Sequence, residues 1–175
     1  MSKKIGESMK KIIIGLFVSL MLVGCSSTAE PEQAVEPKLV VGKSLSDIAL
    51  NDQFEKAHKV GASTKKVIFA FSKDIAHTCN DFFVTQSPTY LSQNDTQFVA
   101  DVSAAPSLIR SMFILPGLKD FKHTVLLLDD KEKAAPYRSE MNTEKIVVVY
   151  VEDELITKIV TLSSEDELKN VIEAK

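Results

Sequence analysis

Two cysteines, Cys25 and Cys79, are the residues on which nucleophilic or redox chemistry could rest in this 175-residue chain. A thiol attacks as the thiolate, so either one needs an electropositive setting to react near neutral pH. Dithiol exchange also needs a second thiol to resolve the mixed disulfide. Cys79-Asn80-Asp81-Phe82 has Phe where a Cys-x-x-Cys pair would have its second Cys. His77 lies two residues before Cys79 and could raise its thiolate fraction, but a His on a loop at a helix start is ordinarily just solvated. His58, His77 and His123 form no i, i+4 pair and no cluster with Cys79, so no zinc site is expected. Asp129-Asp130 with Glu132, and Glu152-Asp153-Glu154, read as solvated turns; the first lacks the glycine and ligand spacing of a calcium loop. The chain has no Gly-rich phosphate loop, no Gly-x-Ser-x-Gly elbow and no His-Glu-x-x-His pair. No metal and no cofactor is expected.

Cys25 ends a segment of a different kind. Lys10 and Lys11 precede a twelve-residue apolar run, Ile12 to Val23, that is too short to span a bilayer well. Leu22-Val23-Gly24-Cys25 closes it. This segment resembles the lipobox of bacterial lipoprotein signal peptides. The resemblance implies cleavage before Cys25 and acylation of that residue with diacylglycerol and a further acyl chain such as palmitate. Several chains exceed what stable anchoring requires. Residues 1–24 are thus expected to be a signal peptide, with Met9 beginning a more typical one than Met1. By the same resemblance, Ser26 in place of Asp points to the outer membrane, with the protein facing the periplasm.

Residues 25–39 are expected to form the lipidated Cys and a flexible tether, because Ser26 to Pro37 is small, acidic and Pro-containing. The first 25 residues hold four Lys and one Glu, so the remaining 17 basic and 23 acidic residues leave a net charge of −6. An acidic chain without a basic cluster argues against nucleic-acid binding and against a polybasic contact with a membrane. The expected partners are the lipid bilayer, through acylated Cys25, and an envelope protein. Cys79 would be the single remaining thiol, so the exported domain could form no internal disulfide.

The elements that would position Cys79 follow in residues 40–175. Val67–Phe71, Phe98–Val102, Thr124–Leu128 and Ile146–Val151 are short, nearly continuous apolar runs suited to central strands covered on both faces. Between them, Cys79–Leu91, Pro106–Leu115 and Asp129–Tyr137 are each long enough for a helix, with Pro106 at a first helical position. Ser111 to Leu115 is notably apolar and reads as the inner face of the second helix, the alternative being a partner or ligand groove. Ile146–Val151 and Leu155–Leu162 read as a hairpin turning at Glu152-Asp153-Glu154. Ser163-Ser164 followed by Glu165-Asp166-Glu167 caps a last helix through Ile172. The expected class is α/β, a mixed sheet between helical layers.

That order of elements resembles the thioredoxin superfamily, and its peroxiredoxin-like branch in particular. Val41-Gly42-Lys43-Ser44-Leu45 with Ile48 to Gln53 is similar to the family's opening, where a short β extension precedes the first core strand. Thiol peroxidases carry Pro-x-x-x-Thr-x-x-Cys after a strand ending in an aromatic residue. Here Phe71 is followed by Ser72, Ala76 and Cys79 at those positions, so the Cys is kept while Pro and Thr are replaced. The family's supporting Arg is matched by Lys145, which lacks the two-pronged donor. The cis-Pro of dithiol enzymes has no counterpart in Met141–Lys145. The resemblance implies a thioredoxin-like domain with a degenerate active site. The expected role is a non-catalytic accessory or binding module of the envelope. The enzyme alternative is a one-cysteine thiol peroxidase using Cys79 and Lys145, its sulfenic acid reduced by an external thiol.

Overall fold

The runs read as doubly covered strands are indeed buried on both sides. In the computed structural model, which describes residues 35–45, 47–59 and 64–174, β3 (Lys66–Ala70) is buried at every position. Its side chains alternate between two cores: Val67 and Phe69 face one, Ile68 and Ala70 the other. β4 (Thr96–Asp101), β5 (Leu126–Leu128) and β6 (Ile146–Glu152) divide their apolar residues in the same way. Burial on both faces removes the polar alternation of a half-exposed strand. The signal segment, Cys25 and the first part of the tether lie outside the described residues.

Among the described residues seven strands form one mixed sheet in the order β2-β1-β5-β4-β3-β6-β7. β3, β4 and β5 are parallel at its centre. β1 (Ala49–Asp52) and β2 (Ala57–Lys59) form an antiparallel hairpin on one flank, where the β extension is expected. β7 (Leu155–Leu162) closes the other flank, antiparallel to β6. Asp153 (φ 50°) and Glu154 (φ 65°) make the tight turn of that hairpin in left-handed backbone.

Helices cover both faces. α1 (Lys73–Val84), α2 (Tyr90–Gln93) and α6 (Glu165–Glu173) bury Cys79, Phe82, Phe83, Leu91, Leu168 and Ile172 against Ile68, Phe98 and Val148. Between β4 and β5 the chain forms α3 (Ser107–Ile109), a π-helical turn (Arg110–Ile114) and α4 (Leu115–Leu118), of which Leu118 reaches the same core. α5 (Lys131–Arg138) packs on the opposite face through Ala134 and Tyr137. Ser164 accepts a hydrogen bond from the Glu167 amide, and Glu167 accepts one from the Ser163 amide, so α6 begins as its capping residues predict. Its other end is held by buried Lys66, whose Nζ donates to the Ile172 and Ala174 carbonyls at 2.8 and 2.6 Å.

Three expectations need correction. The first helix starts at Lys73 and ends at Val84, six residues earlier than the expected Cys79 start. No Pro interrupts the stretch from Ser72 to Val84, and Asp74 in the first turn complements the helix dipole. Pro106 is the N-cap residue, not the first helical residue. Ser111, Met112 and Phe113 are exposed; in the stretch Ser111–Leu115 only Ile114 and Leu115 lean on the core.

Candidate functional site

Cys79 is the seventh residue of α1, two turns beyond the helix start, and is fully buried. Position and burial both oppose a thiolate. The helix dipole acts within the first turn and has faded by the seventh residue. Burial in the apolar layer, aided by the negative charge of Glu165, pushes the thiol up to about 12. At neutral pH the group is a protonated thiol, a small apolar side chain among Phe and Val neighbours.

The residues expected to support it have other engagements. Lys145 donates from Nζ to Ser163 Oγ at 2.9 Å and ties the start of β6 to the loop before α6. The charge that reaches Cys79 comes from Glu165 and has the wrong sign for activation. Ala76 packs against the core beside Cys79, and Thr78 donates back to the Asp74 carbonyl at 3.1 Å within the helix. Ser72 precedes the helix with its Oγ buried and without a hydrogen-bond partner. His77 is exposed on α1. None of three clefts, of about 280, 720 and 560 Å³, is lined by Cys79 or Lys145. Among the described residues no group of three or more His, Cys, Asp or Glu could hold a metal ion.

Where a thiol site would stand, α1 instead carries a buried polar clasp. Asn80, the neighbour of Cys79, shares a hydrogen bond of 2.9 Å with His123 Nε2. Gln53 donates to the His123 carbonyl at 2.8 Å and accepts from the Val125 amide at 2.9 Å. The imidazole lies among Phe83, Phe98 and Phe121 at centroid distances of 5.3, 6.4 and 5.1 Å. Burial there lowers its pKa to about 4, so it is neutral; with the amide oxygen of Asn80 facing it, Nε2 is the donor. The clasp joins the β1 end, α1 and the approach to β5 across one core. On the opposite face, Arg138 lies 3.2 Å from buried Asp101, whose other oxygen accepts the Ser103 amide at 2.9 Å. The clasp leaves no pattern in the sequence, because its members are 43 and 70 residues apart. The only local signal is polar Asn80 at an inward helical position.

The four strands β4-β3-β6-β7, with α1 and α6 on one face, make up the βα…ββα plan. The same plan recurs in solved structures. A putative protein disulfide isomerase from Bacteroides thetaiotaomicron aligns with a TM-score of 0.50 at 14% identity, over 79% of this chain and 89% of its own. A putative thiol:disulfide interchange protein, DsbE, from Chlorobium tepidum gives 0.50 at 16% identity, over 77% and 96%. The thioredoxin domain of a thiol-disulfide oxidoreductase from Bacteroides vulgatus gives 0.50 at 14%, again over 77% and 96%. The fold is thioredoxin-like. No family model matches the sequence, and no curated protein matches it. At these identities the likeness carries the fold and leaves the chemistry to the residues of this chain.

Proposed function

We propose that this chain is a thioredoxin-fold lipoprotein of a bacterial envelope, anchored through acylated Cys25. Its domain serves as a binding or accessory module, not as a thiol catalyst. The observation that carries the second half is the place of Cys79: buried, two turns into α1, its thiol pushed up to about 12. The solved relatives named above for disulfide chemistry would need two thiols for it, and after Cys25 this chain has Cys79 alone. The first half rests on the Leu22–Cys25 lipobox resemblance, which lies outside the described residues. Among the described residues no helix is long and apolar enough to cross a membrane. Outer-membrane sorting, with the domain facing the periplasm, is proposed on Ser26.

Experiments on the two cysteines test the halves separately. Cys79 should resist a thiol reagent in the native protein and react once it is unfolded, and Cys79→Ser should leave peroxide consumption at background. Rapid peroxide turnover that depends on Cys79 and an external thiol would overturn the module reading and establish the one-cysteine peroxidase. Cys25→Ala should move the protein from the membrane to the soluble fraction. Equal solubility of the two forms, with no acyl mass on the wild-type N-terminal peptide, would overturn the anchor.

A further inference from the structure

The stretch between β4 and β5 is apolar on both sides. Ile114, Leu115 and Leu118 lean on the core, while Leu108, Ile109, Met112 and Phe113 stand outward at 64, 44, 59 and 65% exposure. Their i, i+1, i+4, i+5 spacing puts them on one helical face. Arg110 and Ser111 interrupt the apolar residues of this segment, yet the exposed apolar face is contiguous, and such a face marks contact with a partner or with lipid. The segment's shape has an identifiable cause. Pro116 has no N–H and its ring crowds the carbonyl one turn back, so the preceding turn widens and the Leu115 amide donates to Arg110, five residues earlier. Two polar side chains of the segment already have partners: Ser111 Oγ donates to the Leu108 carbonyl at 3.1 Å and Arg110 to the Ala105 carbonyl at 3.2 Å. Covering this face would strand few hydrogen-bonding groups.

Charge and area choose the occupant. In a chain with 23 acidic and 17 basic residues after Cys25, residues 102–122 carry Arg110, Lys119 and Lys122 against the single acid Asp120. Four side chains exposed to this degree amount to on the order of 400 Å². A stable dimer needs about 800 Å² from each partner. A bilayer makes no such demand, since a few apolar side chains flanked by cations can seat in the headgroup region, and a tether raises their effective concentration there.

We infer that the outward face of Ser107–Leu118, with Lys119 and Lys122 beside it, is a docking surface for an anionic lipid bilayer and sets the orientation of the domain on the membrane. The inference deepens the anchoring reading proposed above. The chain contains no Trp, so Phe113→Trp gives an emission signal from this position alone. The full chain, acylated or carrying Cys25→Ser, is mixed with vesicles of phosphatidylglycerol or of phosphatidylcholine whose acyl chains are brominated. Glu132→Trp, on exposed α5 across the sheet, serves as the control. With phosphatidylglycerol, emission at position 113 should shift to the blue and be quenched severalfold, while emission at position 132 stays as in buffer. Lys119→Gln with Lys122→Gln should weaken vesicle affinity on the order of tenfold without lowering the melting temperature. Equal quenching at positions 113 and 132, or none at 113, overturns the inference. So does a blue shift at 113 that follows protein concentration without lipid, which would assign the face to a second copy of the chain. An absence of acyl mass on Cys25 defeats the anchor alone, and the Cys25→Ser arm still decides the docking.

Discussion

α1 and the segment Ser107–Leu118 differ in how they treat their apolar side chains. α1 turns Cys79, Phe82 and Phe83 into the core and keeps Lys73, Asp74 and His77 in solvent. The other segment buries Leu118, leans Ile114 and Leu115 on the core, and leaves Met112 and Phe113 outside. In thiol enzymes of this fold, chemistry is expected at the start of the first helix. Here that helix is a packing element, and the unsatisfied surface lies elsewhere. On the readings proposed above, the fold would keep its plan while the part that meets other molecules moves.

Paired truncations give the largest expected contrast. Phe83 is 2% exposed and touches Phe82, Phe98 and His123, so Phe83→Ala should cost about 3–5 kcal/mol. Phe113→Ala, at a position 65% exposed, should change stability by less than about 0.5 kcal/mol. Urea melts of the two variants check this. Comparable losses would mean that Phe113 is covered in the free protein, and the contrast would collapse.

Acid should weaken the α1 side next. His123 has a folded pKa of about 4 against an ordinary 6.5, so between those values the unfolded chain binds a proton that the native state refuses. The stability is complete above about pH 6.5 and is lost as pH falls towards 4, by roughly 3 kcal/mol in all. His123→Gln should flatten that part of the pH–stability curve while lowering the plateau. A slope through pH 4–6.5 that is unchanged in the variant would show that His123 is not its source.

Cys79→Ser sharpens the chemical side of the comparison. A hydroxyl placed in that apolar layer should cost about 1–2 kcal/mol, with the thermal transition remaining cooperative. The substitution should leave the vesicle response of Ser107–Leu118 unchanged, because Cys79 faces the core. A gain in stability would mean that the site holds a polar partner for the hydroxyl.

Much of this was legible in the sequence, for physical reasons that also set the limit. Val67–Phe71 and Ile146–Val151 could be read as central strands because double burial leaves an unbroken apolar run. Ser164 with Glu167 marked the start of α6 through local hydrogen bonds. The start of α1 was misplaced because spacing from an aromatic strand end drew attention to Cys79. The helical repeat Ala76, Cys79, Asn80, Phe83 was the better guide, since those positions share one face. The clasp of Asn80, His123 and Gln53 was not legible, because only the folded chain brings the three together. The exposure of Met112 and Phe113 was hidden for another reason: hydrophobicity marks a residue that would benefit from burial, not one that is buried.

The smallest effect should come from a site outside both regions, the β6–β7 turn. Asp153 and Glu154 both have positive φ, the signature of a two-residue hairpin turn of type I′, which favours Asn-Gly or Asp-Gly. A residue with a Cβ in left-handed backbone costs about 1–2 kcal/mol. Glycine removes that strain but adds freedom to the unfolded chain worth about 0.5–1 kcal/mol. Glu154→Gly makes the favoured Asp-Gly pair, and the Leu45 amide keeps its acceptor because the bond is to the backbone carbonyl of position 154. The net gain should be about 0.5–1 kcal/mol, or a rise of a few degrees in Tm. An unchanged or lower Tm would show that the turn stores no strain. The variant also serves the larger comparison. It raises stability while leaving α1 and Ser107–Leu118 untouched, so thiol protection at Cys79 should deepen with it, whereas vesicle binding through Phe113 should not move.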